Sequence, residues 1–220
     1  MGVITRNAAN NITTGGVILP AGINDTSVAS ISELQQVATG GGLNLISSQT
    51  ASASSSIDFT SGIDSTYDIY QFEFNNIHCS NDGVDFRFNL STDGGSNYNV
   101  SKITTYITAY NLESGATQGL VYDSANGDMI GTGLANLHRD LGNGNDESLS
   151  GYFYLWNPSS SVFVKHFMSS SNLLQLNDQC IVAHVAGYGN TQSPINAIRF
   201  QMSAGNIDAG TIRLYGIQSS

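Results

Sequence analysis

The chain has 220 residues, of which 40% are hydrophobic and only 11% are charged, against about 25% charged residues in typical soluble domains. Seven Lys and Arg residues against seventeen Asp and Glu residues give a net charge of −10. Binding to nucleic acid or docking on an anionic membrane needs clustered positive charge, so we expect neither. The sequence also has no apolar run long enough to span a bilayer, so we expect no membrane insertion. A surface of neutral polar groups favours a protein that lies outside a cell or packs against identical copies.

Residues 1–42 are predicted to form an extended N-terminal arm with one short helix, which together act as a docking segment. Residues 1–22 have no hydrophobic periodicity and cannot bury enough apolar surface to fold alone. Ser30 and Glu33 have the spacing of a capping box, and the glycines from Gly40 end the helix. The alternative for this helix is an irregular linker. We expect the arm to lie along neighbouring subunits through Ile4, Arg6, Asn10, Asn11, Ile12, Val17, Ile18 and Leu19.

Two runs of alternating aromatic residues, 67–74 and 84–90, form the centre of the predicted body. Every second residue is apolar and lies on one face of an extended chain: Tyr70, Phe72, Phe74, Val84, Phe86, Phe88 and Leu90. Asp82 and Gly83 lie between the runs and suit a tight reversal. The sequence therefore predicts a long antiparallel pair whose aromatic face is the floor of a core.

The rest of the chain also has the pattern of short strands and polar turns. Residues 98–110 are predicted to be a long strand with Ile103 and Ile107 inward and Lys102 and Tyr106 outward. Further strands are predicted at residues 43–50, 56–59, 118–122, 128–130, 149–156, 162–168, 180–186, 195–203 and 210–217.

Three polar segments are predicted to be turns or loops. Residues 93–96 have the composition of a hairpin turn, residues 206–210 are predicted to join the last two strands as a hairpin, and residues 134–146 are predicted to be a long exposed loop. Around ten strands with almost no helix predict an all-β fold. We expect residues 43–220 to form a jelly-roll-like antiparallel β-sandwich head domain.

No motif predicts catalysis, and we expect neither an enzyme nor a bound cofactor. His166 and His184 lie within strands, and no pair of histidines has the spacing of a zinc site. Glu73 and Asp85 could approach each other as a glycosidase pair does, but Arg87 offers them an ordinary cross-strand partner.

Two further kinds of site stay open on the sequence alone. The oxygen-rich turns at residues 93–97 and 143–147 could hold Ca²⁺, but hairpin turns need the same residues without an ion. Cys79 and Cys180 could pair only if the fold brings their strands together; otherwise they are isolated thiols.

Aromatic side chains predicted to point outward form the candidate recognition residues. Aromatic faces stack on sugar rings and also pack in protein interfaces, so these residues could contact a glycan or another subunit. They are Tyr106, Tyr110, Tyr152, Tyr154 and Trp156.

Several segments resemble a group of virion structural proteins of tailed bacteriophages, particularly marine ones. The likeness extends over nearly the whole chain, and it is carried by residues 4–7 and 10–17, 57–67, 91–98, 157–160 with 165–167, and 202–210. The resemblance implies a place on the phage particle, but it supplies no site residues because this group has no motif with an assigned chemical role.

The leading hypothesis is a capsid decoration or cement protein, or a head fibre, on the exterior of the particle. Its expected partners are other copies of itself, as a homotrimer, and the major capsid protein or other virion subunits. The alternative is a tail fibre or receptor-binding protein that recognises a glycan on the host surface. A free carbohydrate-active enzyme is the third possibility.

Overall fold

The computed structural model describes residues 42–124, 129–175 and 177–217, which contain strands, turns and no helix. The prediction of an all-β body is confirmed over these residues. The predicted arm at residues 1–42 and its helix lie outside the described part, except for residue 42, and stay predictions. No helix suited to crossing a membrane occurs in the part described. The strands are β1 (Leu43–Thr50), β2 (Ile57–Phe59), β3 (Ile69–Cys79), β4 (Val84–Ser91), β5 (Lys102–Leu112), β6 (Gln118–Tyr122), β7 (Ile130–Gly131), β8 (Ala135–Leu141), β9 (Leu149–Trp156), β10 (Lys165–Gln175), β11 (Gln179–Gly189), β12 (Ala197–Met202) and β13 (Ile207–Ile217).

The described strands form one continuous antiparallel sheet, two parts of which, called here the large and the small layer, face each other across the core. The large layer has the order β1-β13-β3-β9-β10-β11-β5, and both β6 and β7 pair with the far side of β5. The small layer has the order β2-β12-β4-β8. Among the described strands, the layers are joined where Gln175 of β10 pairs with Leu141 of β8. Hydrogen bonding is therefore continuous from one layer into the other.

Aromatic rings from the two layers meet in the core. Phe200 of the small layer has its ring centroid 5.4 Å from Phe72 and 5.2 Å from Phe74 of the large layer. The ring centroid of Phe88, also in the small layer, lies 4.9 Å from that of Phe153 in the large layer. Most of these pairs are edge-to-face, the geometry that adds roughly 1 kcal/mol to the free energy gained by burial. The layers are thus held face to face by interlocking rings.

The predicted pairing of the two aromatic runs is wrong, although their predicted inward faces are confirmed. The first run lies in β3, which pairs with β13 and β9, and the second lies in β4, which pairs with β12 and β8. The rings of Phe74 and Phe86 meet across the core at 5.1 Å. Alternation determines which face of a strand is buried but not its neighbour. The turn at Gly83 therefore carries the chain from one layer to the other.

Both predicted hairpins and the predicted long loop are also wrong. Residues 93–96 and 206–210 each lead from the small layer to the large one, and the last of them already belong to β13. Residues 134–146 contain strand β8, whose Leu137 and Leu141 are fully buried. Turn-forming residues show where a chain can change direction, but they do not identify the strands that pair.

Strand β5 has the predicted period but the opposite face inward. Lys102 and Tyr106 are buried, whereas Ile107 is exposed. The Lys102 ammonium donates hydrogen bonds to Asn89 Oδ1 at 2.5 Å and Val100 O at 3.0 Å, which makes its burial possible. Tyr106 packs beside Val185, its direct partner in β11, in a small buried cluster that also contains Ala183. The outward orientation of Tyr106 is therefore a wrong prediction.

Candidate recognition surface

The outer face of the large layer, turned away from the small layer, carries most of the exposed apolar side chains. Residues that pair directly across antiparallel strands share a face, so the register assigns each side chain to the inner or outer side. Of eleven large hydrophobic residues exposed among those described, eight lie on this outer face. They are Leu43, Leu45, Ile107, Leu120, Tyr122, Ile130, Tyr152 and Met168. Exposed apolar side chains gathered on one face of a sheet are typical of an interaction surface.

Strand β9 places three aromatic side chains in a row at the centre of the outer face. Tyr152 and Tyr154 have ring centroids 5.3 Å apart, and Trp156 stacks on Tyr154 at 5.6 Å. The two remaining aromatic candidates do not join this row. Tyr106 is buried as described above, and Tyr110 lies on the inner side of β5, half-buried against the core. Three of the five predicted recognition residues are thus brought together.

On one side of this row lies an apolar groove of about 370 Å³. It lies over β10, β11 and β5, and Trp156, His166 and Tyr188 form its aromatic part. The rings of His166 and Tyr188 are 6.1 Å apart. Met168 and Ile103 supply aliphatic surface. Such a lining has few hydrogen-bonding groups and suits a protein side chain better than a polar ligand. We call this side, formed by β10, β11, β5, β6 and β7, the apolar half of the outer face.

On the other side lies a polar groove of about 500 Å³ along the seam between β3 and β9. We call this side, formed by β9, β3, β13 and β1, the polar half of the outer face. The polar groove is lined by Gln71, Glu73, Asn75, Ser150 and Tyr152, and also by Leu43, Phe74 and Gly151. The lining thus combines amides, one carboxylate, a hydroxyl and an aromatic ring with some apolar surface.

The carboxylate of Glu73 is held in place by residues of β13. The Tyr215 hydroxyl donates a hydrogen bond to Glu73 Oε2 at 3.0 Å, and Arg213 Nη1 lies 3.5 Å from the same oxygen. Burial and the nearby Glu73 raise the pKa of Tyr215, so this hydroxyl keeps its proton and stays a donor. Glu73 and Tyr152 are directly opposite in the register of β3 and β9. A ring and an oriented carboxylate therefore lie side by side.

A β-bulge lies beside the polar groove. The register between β3 and β9 shifts between Phe74 and Ile77, and Asn76 has a positive φ of 48°. The Asn76 N–H donates to Ser150 Oγ at 3.0 Å, which fixes the bulge to β9. Bulges redirect side chains and are frequent beside functional sites. Asn75, which precedes Asn76, lines the groove through the ordinary alternation of β3.

The predicted carboxylate pair does not form. Glu73 lies in the large layer and Asp85 in the small layer, where Arg87 Nη2 binds Asp85 Oδ2 at 2.6 Å. Arg87 thus pairs with Asp85 of its own strand and not across strands as predicted, and the cross-strand partner of Glu73 is Arg213. These two carboxylates are therefore not arranged for glycoside hydrolysis.

The turns proposed for Ca²⁺ direct their carboxylates at N–H and O–H groups of the chain. Hydrogen bonds from Asn97 and Ser91 lower the pKa of Asp93 to about 2. Glu147 accepts a hydrogen bond from the backbone N–H of Gly144. Over the described residues, no group of three or more His, Cys, Asp and Glu side chains is placed to hold a metal ion.

The histidines and cysteines have structural surroundings. His78 Nδ1 lies 2.7 Å from Asp208 Oδ1; burial lowers the pKa of His78, but its hydrogen bonds outweigh this and leave the pKa raised. His138 is fully buried, which lowers its pKa to about 4 and keeps the ring neutral. Cys79 is a buried free thiol and Cys180 an exposed one, so these two cysteines do not form a disulfide with each other.

Comparison with known proteins found no relative of this chain. No family model matches the chain, and no match was found among curated proteins or solved structures. The functional argument therefore rests on the outer face. This face offers two adjoining surfaces of different chemistry, one apolar and one polar with the exposed ring of Tyr152, and both are suited to binding.

Proposed function

We propose that the chain is a structural protein of a bacteriophage particle, positioned on the exterior as a capsid decoration or cement protein or as a head fibre. The observation that carries this proposal is the exposed apolar half of the outer face, with Leu120 75% and Ile130 82% exposed. An isolated soluble domain rarely exposes so much apolar surface on one side, whereas a subunit buries it against a neighbour. The resemblance to phage virion proteins supports the location.

In this proposal the body is a two-layer sandwich of jelly-roll type, and three copies associate through their apolar halves. The arm formed by residues 1–42 binds the major capsid protein or other virion subunits. The mechanism is non-covalent and non-enzymatic: surface buried across the joints between capsid subunits strengthens the shell.

Self-association is tested by measuring the native mass of the purified chain and of two matched variants. Met168→Glu places a charge in the apolar groove, and Val162→Glu places the same charge on an exposed loop outside it. We expect a trimer for the wild type and Val162→Glu, and a monomer for Met168→Glu, because a charge buried without a partner opposes association. A monomeric wild type contradicts the trimer.

The role on the particle is tested by comparing phage particles with and without the protein. Particles that lack it should release their genome at a lower temperature. Unchanged thermal release would count against a cement function even if the chain is a trimer.

A second candidate function is favoured by the polar groove. A tail fibre or receptor-binding protein needs a surface that recognises a host glycan, and the row of Tyr152 and Tyr154 beside Glu73 has the required chemistry. This candidate predicts that the free body blocks adsorption of the phage to its host.

A further inference from the structure

We infer that the polar groove is a binding site for a neutral oligosaccharide, which it holds without cleaving. This inference rests on the second function proposed above and gives it a site, a ligand class and a set of contact residues. It involves the polar half only, so it is independent of how the apolar half associates.

The first argument is the arrangement of rings and planar polar groups. The register places Arg213, Glu73 and Tyr152 in one row across β13, β3 and β9. The next row contains Tyr215, Gln71 and Tyr154 in the same strands. Neighbouring strands lie about 4.8 Å apart, and side chains on one face of a strand about 7 Å apart. The six side chains therefore form a single patch in which tyrosine rings flank amide, carboxylate and guanidinium groups.

This combination matches the chemistry of a pyranose. The C–H face of a sugar ring packs on an aromatic ring, and its hydroxyls act at once as donors and acceptors. Gln71 and Asn75 can donate and accept, and the Glu73 carboxylate can accept from a sugar hydroxyl in addition to its hydrogen bonds from Tyr215 and Arg213. A groove of about 500 Å³ lies within the range of small-ligand sites and extends past one ring. The site thus fits a short oligosaccharide.

The second argument is preorganisation. Glu73 is fixed by Tyr215 and Arg213 from β13, and the bulge at Asn76 is fixed by Ser150. Side chains that are already oriented lose less conformational entropy when the ligand binds. All the contact residues lie on strands or at a bulge within a hydrogen-bonded sheet, which holds them more rigidly than loops would.

The third argument concerns charge. The chain carries a net charge of −10, and the carboxylate at the centre of the groove already engages the nearby Arg213. Sugars with carboxylate or sulfate groups would be repelled, so the ligand is a neutral glycan. Hydrolysis of a glycosidic bond needs two carboxyl groups across the bond. The residues that line the groove supply one, Glu73, so we infer binding without turnover.

The test is an array of neutral and sialylated oligosaccharides probed with the full chain, followed by titration of the strongest neutral ligand. We expect binding confined to neutral glycans. Tyr152→Ala removes the stacking ring, and we expect roughly 10-fold weaker binding from a stacking contact of about 1.4 kcal/mol. Gln71→Ala should weaken binding by a similar factor because it removes hydrogen bonds to the hydroxyls. Phe163→Ala, an exposed aromatic side chain outside the groove, should bind as the wild type does.

Three results would overturn the inference: no bound neutral glycan, preference for sialylated ligands, or equal losses in Tyr152→Ala and Phe163→Ala. The native mass of each variant is measured in parallel. A chain that keeps its trimeric mass but binds no glycan refutes the site and leaves the structural role standing. A chain that binds glycan as a monomer refutes the trimer and leaves the site standing.

Discussion

Because Lys102 lies on the buried face of β5, the free energy of unfolding should depend on pH through this residue. An exposed Lys102 would cause no such dependence. Lys102 is completely buried, and its ammonium contacts two neutral oxygen atoms and lies 5.9 Å from the centre of the Phe88 ring. Lys102 takes part in none of the ion pairs found in the described residues. Burial lowers the pKa of Lys102 from 10.5 to about 8. Substitution by methionine removes this titration with little change of shape.

The direction in which the free energy of unfolding changes with pH follows from the number of protons bound in the native and the unfolded state. Between pH 8 and 10.5 the unfolded chain keeps the Lys102 proton while the native chain has lost it, so the free energy of unfolding rises with pH. The full difference between the two pKa values corresponds to about 3 kcal/mol. Between pH 7.5 and 9.5 the native state should gain about 2 kcal/mol from this group, with no discount for solvent because the side chain is buried.

The assay is urea unfolding of the wild type and Lys102→Met at pH 7.5 and 9.5. Other titrating groups are common to both proteins and cancel in the difference. We expect the wild type to gain about 2 kcal/mol relative to the variant over this interval, with equal dependence on urea in both proteins. A difference that stays constant with pH would mean that Lys102 is exposed, as the sequence predicted, and would refute the inverted face of β5.

Three other predictions test the core, the ion pair and the thiols. Phe200→Ala removes a ring of the small layer that packs against the large layer, and it should lower the free energy of unfolding by about 3–5 kcal/mol. Phe163→Ala on the surface should change it by less than about 0.5 kcal/mol. Equal effects of the two substitutions in chemical unfolding would contradict the burial of Phe200 in the core. The raised pKa of His78 stabilises the fold below pH 6.5, and this contribution is lost as pH rises through the native pKa, so His78→Gln should lower the melting temperature at pH 5.5 more than at pH 8.5. A thiol reagent should label Cys180 quickly and Cys79, whose pKa is raised to about 12 by burial, only on unfolding; rapid labelling of both would refute this burial.

The inward faces of β3 and β4 could be predicted from the sequence because one alternate set is apolar and mostly aromatic and the other is polar. Phe72 and Glu73 leave no doubt about which side is buried. In β5 the two sets compete: one contains isoleucines, and the other contains Tyr106 together with a lysine. Hydropathy favours the isoleucines. The structure buries the other set because Asn89 and Val100 offer partners to the Lys102 ammonium, and these contacts are invisible in a single strand.

Strand partners and the polar groove could not be predicted because both depend on contacts distant in sequence. Arg213 and Glu73 are separated by 140 positions, yet they are direct neighbours in the register of β13 and β3. The sequence placed Tyr152 and Tyr154 outward but gave no sign that Gln71 and Glu73 would lie beside them. Periodicity is a local property, whereas pairing is selected by the packing of the whole core.

Strand β9 explains how stability and recognition can be separated in this fold. Its inward residues Phe153 and Leu155 are fully buried among the core rings, while its outward residues Tyr152 and Tyr154 stay at the surface. Because successive side chains point to opposite faces, the outward set can change to suit a partner without altering the core. The neighbours of β9 then determine what each side of its outer face can bind. On one side β3 supplies amides and a carboxylate, with the Arg213 guanidinium of β13 beyond them, and on the other side β10 supplies His166 and Met168. One aromatic strand thus borders both a surface suited to a glycan and a surface suited to another subunit.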